Sequence, residues 1–188
     1  MTPDKPRFPR ALALAAARDI CQALQPVTQR LVVAGSLRRG ASLVGDVEIL
    51  YIPRFEDRQI DLITTGPVSL ADEAIQSLLS SGSLTMRPMK NGSYTWGSQN
   101  KLARHRNGVP VDLFAATHES WWNYLVCRTG PATLTTRIAI EARMLGFRWN
   151  PYGPGFSSIA DDSLVPMPSE EAVFNFVHLP FLPPAKRA

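Results

Sequence analysis

The chain has 188 residues, 45% of them apolar, with 8 Phe, 4 Tyr and 4 Trp; this excludes global disorder and suits one large domain or two small lobes. Its net charge of +4 is a mild basic bias, compatible with a polyanionic partner. Two cysteines, Cys21 and Cys127, exclude a zinc knuckle or disulfide scaffold, and no apolar run reaches the roughly 18 residues of a membrane span, so a cytoplasmic protein with no membrane partner is expected.

Residues 11–25, ALALAAARDICQALQ, predict a helix between Pro9 and Pro26. A β-rich run, RLVVAGS, then stops at a glycine, and the turn-rich LRRGASLVG follows. The next run, DVEILYI, is a strand by its alternation, with Asp46, Glu48 and Leu50 on one face and Val47, Ile49 and Tyr51 on the other. Residues 69–80 predict a helix with Ser69 as its cap and Asp72 three residues on. Asn107-Gly108 marks a hairpin. A two-residue loop would pair Arg106 with Val109 and Ala103 with Asp112, which puts Lys101 and His105 on the Asp112 face, and Pro110 makes its strand irregular or an edge. Beyond residue 117, ESWWNYLVCRTG and PATLTTRIAIEARMLG predict two helices split at Thr129-Gly130, with Pro131 opening the second and Gly146 closing it. Trp121, Trp122 and Tyr124 are expected to anchor the first of these. A last helix is expected in SEEAVFNFV, within a Pro- and Gly-rich tail. The layout is an α/β lobe to about residue 116 and a smaller mixed lobe after it.

Asp46 and Glu48 project from one side of a strand, and Asp112 stands on a later strand of the same lobe. Three carboxylates at one place repel and raise one another's pKa. A pair of hard divalent cations such as Mg²⁺ removes that penalty, and two of them can clamp the attacking and leaving oxygens of a phosphoryl displacement. The preceding turn, GSLRRG, has complementary chemistry. Gly35 and Gly40 admit a close ligand, Ser36 adds a hydroxyl and an amide, and Arg38 and Arg39 offer planar forks to phosphate oxygens. The set suits a nucleoside triphosphate attacked by a hydroxyl with loss of pyrophosphate.

The stretch GSLRRGASLVGDVEIL resembles the signature of the polymerase-β superfamily of nucleotidyltransferases, and specifically family X DNA polymerases. VPVDLF resembles their last metal-ligand strand, RTGPATLTTRIAIEARMLGF their Thr-Gly-Ser segment and the helix after it, and SEEAVFNFVHLPFLPPAKRA the close of their thumb. The resemblance covers the chain from about residue 10, with too few residues before that for the family's amino-terminal helical domains. It implies an α+β fold, with a nucleotidyltransferase palm of mixed sheet and flanking helices over residues 1–116 and a small C-terminal α/β thumb-like lobe over 117–188. It implies that Asp46 and Glu48 bind two Mg²⁺ ions, with Mn²⁺ able to substitute, and that Asp112 binds the catalytic ion and takes the proton of the primer 3′-hydroxyl. Gly35, Ser36 and Arg39 would hold the β and γ phosphates, Arg38 would support that pocket, and Gly45 would keep the approach open. Thr129 and Gly130 would run beside the sugar and base. The implied partners are a nucleoside triphosphate and a primer-template or gapped DNA, met by a monomer.

The chain differs from the family pattern at several points. Glu48 stands where Asp is usual, Cys127-Arg128 where an aromatic pair crowds the sugar, and Pro131 where a serine follows Thr-Gly. Thr135, Ala139 and Pro110 replace an asparagine, an arginine and another arginine. These differences leave open nucleotide addition to RNA, to a protein or to an untemplated end; a non-catalytic nucleic-acid-binding or antitoxin-like role is a third reading, against which the three retained carboxylates speak, since without metal they repel one another.

Overall fold

The computed structural model describes residues 6–59 and 63–187. In chain order the elements are β1 (Phe8–Pro9), α1 (Arg10–Leu24), β2 (Thr28–Val33), α2 (Gly35–Arg38), β3 (Leu43–Val44), β4 (Val47–Pro53), β5 (Phe55–Gln59), β6 (Thr65–Ser69), α3 (Leu70–Ser80), β7 (Leu84–Met86), β8 (Asn100–His105) and β9 (Pro110–Ala115). Then come α4 (Trp121–Thr129), α5 (Ala132–Met144), β10 (Phe147–Trp149), β11 (Gly155–Ser158), β12 (Leu164–Pro166) and α6 (Glu170–Phe176). Among the described residues no helix is long and apolar enough to cross a membrane.

The chain divides into two compact units. The first takes residues up to Val33 and Leu43–Ala115; the second takes Ala34–Ser42 and everything from Ala116 on. The segment carrying GSLRRG therefore groups with the C-terminal half of the sequence, because the Arg38 and Arg39 side chains bond to Thr129 and Glu170.

The first unit is built on a mixed five-stranded sheet, order β2-β4-β9-β8-β7, with β4 and β9 parallel and the other pairs antiparallel. One face is covered by α1 and α3, whose apolar stripes bury Ala13, Ala16, Ala17, Ile20 and Leu24, and Ala71 and Ile75. Ser69 caps α3 as expected, its hydroxyl accepting the Asp72 N–H at 3.2 Å. Burial of these stripes gives most of the hold, at roughly 1.5–3 kcal/mol for each large aliphatic side chain.

The β8–β9 hairpin departs from its two-residue expectation. His105 N–H donates to the Val109 carbonyl at 2.9 Å, so the loop has three residues, Arg106–Gly108. Gly108 takes a left-handed φ of +91°, and Asn107 Oδ1 accepts the Val109 N–H, which makes room for the extra residue. The register is Leu102 opposite Asp112 and Ala103 opposite Val111. A slip of one residue moves every side chain to the other face, so Lys101 and His105 lie on the helix-covered face. Both are buried, at 5% and 4% exposure. Lys101 Nζ pairs with Asp72 of α3 at 2.8 Å, and His105 Nε2 lies 3.2 Å from Asp19 of α1. Pro110 is the first residue of β9, which is an interior strand rather than an edge; that end position tolerates a missing N–H.

In the second unit α4, α5 and α6 pack with the antiparallel sheet β10-β11-β12 around Val126, Ile138, Ala142, Phe156, Val173 and Phe174. Trp121 and Tyr124 are buried as anchors of α4. Ser169 caps α6 by accepting the Ala172 N–H at 3.0 Å, and the Gly130–Pro131 peptide that separates α4 from α5 is cis.

Candidate active site

In the first unit the acids fall where the strand pattern puts them. Glu48 sits in β4 and Asp112 in β9, and the parallel register sets these two residues directly side by side. Asp46, preceded by Gly45, stands two residues before Glu48 at the entry to β4. Period-two alternation directs Asp46 and Glu48 the same way, to the face opposite α1 and α3. All three acids are half-buried. Among the described residues no three His, Cys, Asp or Glu side chains are gathered closely enough to form a metal cage as they stand. What the sheet brings together is the Glu48–Asp112 pair, with Asp46 on the same side and one step along.

Arg87 completes this face and was not anticipated. It follows β7, and its N–H donates to the Leu102 carbonyl, which extends the ladder by one residue. One row across the sheet is thus Arg87, Leu102, Asp112, Glu48. The Arg87 guanidinium reaches over Leu102 and makes a short charge-assisted bond from Nη2 to Asp112 Oδ1. An isolated arginine in a turn-rich stretch gives no sequence signal; only the corrected hairpin register aligns it with Asp112.

Oxygen-only carboxylates on one sheet face match the donor chemistry of Mg²⁺ or Mn²⁺. Glu48 and Asp112, with Asp46 beside them, are the residues that would hold such ions. Arg87 already supplies one positive charge to Asp112.

The second unit carries the other expected residues. Gly35 opens α2 with a left-handed φ of +63°, a conformation glycine adopts without a Cβ penalty. Arg39 N–H closes the turn onto the Gly35 carbonyl at 3.2 Å, and Ala41 N–H onto that of Ser36 at 3.0 Å. Two arginines then converge on one threonine. Arg38 Nη1 donates to Thr129 Oγ1 at 2.7 Å, and Arg39 Nη1 donates to the Thr129 carbonyl. Gly130, at φ +59°, lies so close that an added Cβ would stand 3.4 Å from Arg39 Nη1. Gly35, Ser36, Arg38, Arg39, Thr129 and Gly130 therefore form one cluster.

The anchor of that cluster is Glu170, at the first position of α6. Its Oε1 and Oε2 accept both ends of the Arg38 fork at 2.9 and 2.6 Å, and Oε1 also accepts Arg187 Nη1 at 3.0 Å. Burial pushes the Glu170 carboxyl up, but bonding and charge from Arg38 and then Arg187 outweigh it and hold the group below its ordinary value. Burial lowers the Arg187 guanidinium, against the pull of Glu170. Glu170 and Arg187 fall within the acid-rich helix start and terminal arginine of the sequence, but nothing along the chain ties either of them to Arg38.

The architecture has a solved counterpart. The chain superposes on the polymerase β of Leishmania infantum, solved as a ternary P/T complex, with a TM-score of 0.74 and 16% identity, over 97% of this chain and 77% of that one. The fold is polymerase-β-like. In all, 227 solved chains match it. No protein-family model and no curated protein sequence matches. The likeness is one of fold: a mixed sheet with flanking helices, which the family X resemblance implied from a short signature.

Proposed function

We propose that the protein is a divalent-metal-dependent nucleotidyltransferase, and that it works as a DNA polymerase filling short gaps. The observation that carries this reading is the parallel register that sets Glu48 beside Asp112, with Asp46 two residues before Glu48, on a polymerase-β-like sheet. The solved neighbour's P/T complex supports a primer-template and a nucleotide as partners.

In this reading Asp46, Glu48 and Asp112 would hold two Mg²⁺ ions, which would supply charge neutralisation for the triphosphate and for the attacking oxygen. Gly35, Ser36 and Arg39 hold the β and γ phosphates. Arg38 positions the turn through Glu170 and Thr129, and Gly45 leaves the approach to the acids open. Thr129 and Gly130 bound the sugar. Asp112 accepts the proton of the 3′-hydroxyl; the new bond forms between that oxygen and the α-phosphorus as the bond to pyrophosphate breaks.

The test is incorporation on a gapped duplex, a blunt duplex and single strands, with dNTPs and NTPs in parallel, with and without Mg²⁺. Gap-dependent, Mg²⁺-dependent dNTP incorporation is expected. Asp112→Asn should lower it by about 100-fold or more with the fold intact. Incorporation at full rate in that variant would overturn the carboxylate mechanism. Incorporation confined to unpaired ends or RNA would move the acceptor, and none on any substrate would favour a binding role.

A further inference from the structure

A second basic locus in the second unit is not used by the reading above. An open cavity of about 250 Å³ is lined by Pro131, Thr133 and Leu134 at the start of α5, by Arg137 one turn on, and by Lys186 and Arg187 near the C-terminus. Three of these residues are cations, and among the described residues no acid lines the cavity.

Three independent features of the lining ask for an anion. The first is Arg187. Its side chain is 0% exposed, Nε donates to the Leu182 carbonyl at 2.7 Å, and Nη1 donates to Glu170. Nη2 is buried and has no acceptor among the described residues. The cause is visible in the cluster: Glu170 spends both oxygens on the Arg38 fork, so it meets Arg187 at one nitrogen only. A buried donor without an acceptor is costly. The second is the N-terminus of α5, a helix of 13 residues. Its N-cap is Pro131, which offers no side-chain acceptor, and its first turn contains no acid. Neither the cap nor the first turn of the helix therefore supplies an anion to the positive end of its dipole. The third is charge. Lys186 is exposed, and Arg137 meets only Glu141, at a loose 3.7 Å on an exposed helix face.

We propose that this cavity binds a phosphate group, taken up between the Arg187 Nη2–H, the open N-terminal amides of α5 and the side chains of Lys186 and Arg137. A tetrahedral, multiply charged oxyanion matches a helix N-terminus and an arginine donor together. At about 30 Å³ per water the cavity holds about eight waters, enough for a phosphate and part of what it is attached to. The phosphate is either a strand phosphate of a polynucleotide or free phosphate or pyrophosphate. This site shares no residue with the Gly35–Arg39 turn, so it stands or falls apart from the nucleotidyl-transfer reading.

The test is a nuclear magnetic resonance titration of the isotope-labelled full chain. The probes are inorganic phosphate, pyrophosphate, and a short oligonucleotide with and without a 5′-phosphate, with acetate at matched ionic strength as control. Saturable shifts are expected at the Ala132 and Thr133 amides and the Arg187 Nε–H. The double variant R137Q/K186Q changes two exposed side chains and should weaken binding about five- to tenfold, whereas R39Q should leave these shifts in place. Saturation by the oligonucleotides alone assigns a strand phosphate, and saturation by the free anions alone assigns a small ligand; either supports the site. No saturable shift at these amides overturns the proposal. So does equal binding of acetate, or shifts lost in R39Q and unchanged in R137Q/K186Q.

Discussion

Replacing Glu170 by Gln should unfasten the second unit while leaving the first unchanged. The carboxylate is 10% exposed, its partners Arg38 and Arg187 are 20% and 0% exposed, and it accepts three charge-assisted bonds. The amide keeps the shape but removes the only negative charge of the cluster, and so leaves two guanidinium groups facing each other. Breaking a buried pair from one side costs about 3–5 kcal/mol; the oxygen retained by Gln places this variant near the lower end, at about 3 kcal/mol. The pH dependence gives a second reading. The folded-state pKa of Glu170 is depressed, so its stabilisation is full above the ordinary value of 4.5 and is lost as pH falls through the lower folded value. The wild-type and E170Q stabilities should therefore converge below about pH 4.5. Urea unfolding followed by tryptophan fluorescence measures both effects, since Trp121, Trp122 and Trp149 report on the second unit. A loss under about 1 kcal/mol, or a gap that persists unchanged to about pH 3, would refute the reasoning.

Four other substitutions test other parts of the structure. R87Q releases Asp112 from its guanidinium partner and should tighten Mn²⁺ binding about fivefold by calorimetry; weaker binding would mean that Arg87 holds Asp112 in its ligating position. D72A leaves the Lys101 ammonium buried with only the Gly97 carbonyl and should cost about 2 kcal/mol, whereas K101M removes both the charge and its need and should cost under about 1 kcal/mol; the two are compared by denaturant midpoint. G130A forces a side chain into a left-handed conformation beside Arg39 and should cost about 1–2 kcal/mol in thermal unfolding.

Local physics made much of the fold readable along the chain. Apolar spacing located α1, α3, α4 and α5, Ser69 marked the cap of α3, and alternation placed Asp46 and Glu48 on one side of β4. The sequence placed Asp112 only on a later strand of the same lobe; that its strand neighbours β4, with Glu48 level with Asp112, is set by the sheet's register. What failed was the hairpin, where one extra loop residue sent Lys101 and His105 to the helix-covered face and brought Arg87 into line with Asp112. Loop length is set by whether Asn107 and Gly108 can satisfy the turn, and the dipeptide alone does not decide between two and three residues. The Arg38–Glu170–Arg187 cluster was illegible for another reason: its members are separated by 132 and 17 positions, and charge complementarity over such spans leaves no periodic mark.

The nine residues Ala34–Ser42 have a consequence for how the molecule can be taken apart. Because the chain leaves the first unit after Val33 and re-enters it at Leu43, no single cut yields two whole pieces. A fragment starting at Ala116 would carry Glu170 and Arg187 but not Arg38, and so would lose the guanidinium that both carboxylate oxygens engage. The piece ending at Ala115 would keep that arginine on a strap with nothing of its own unit to bind. The second unit is thus split along the gene, and it depends on a segment encoded between the two parts of the first to be complete.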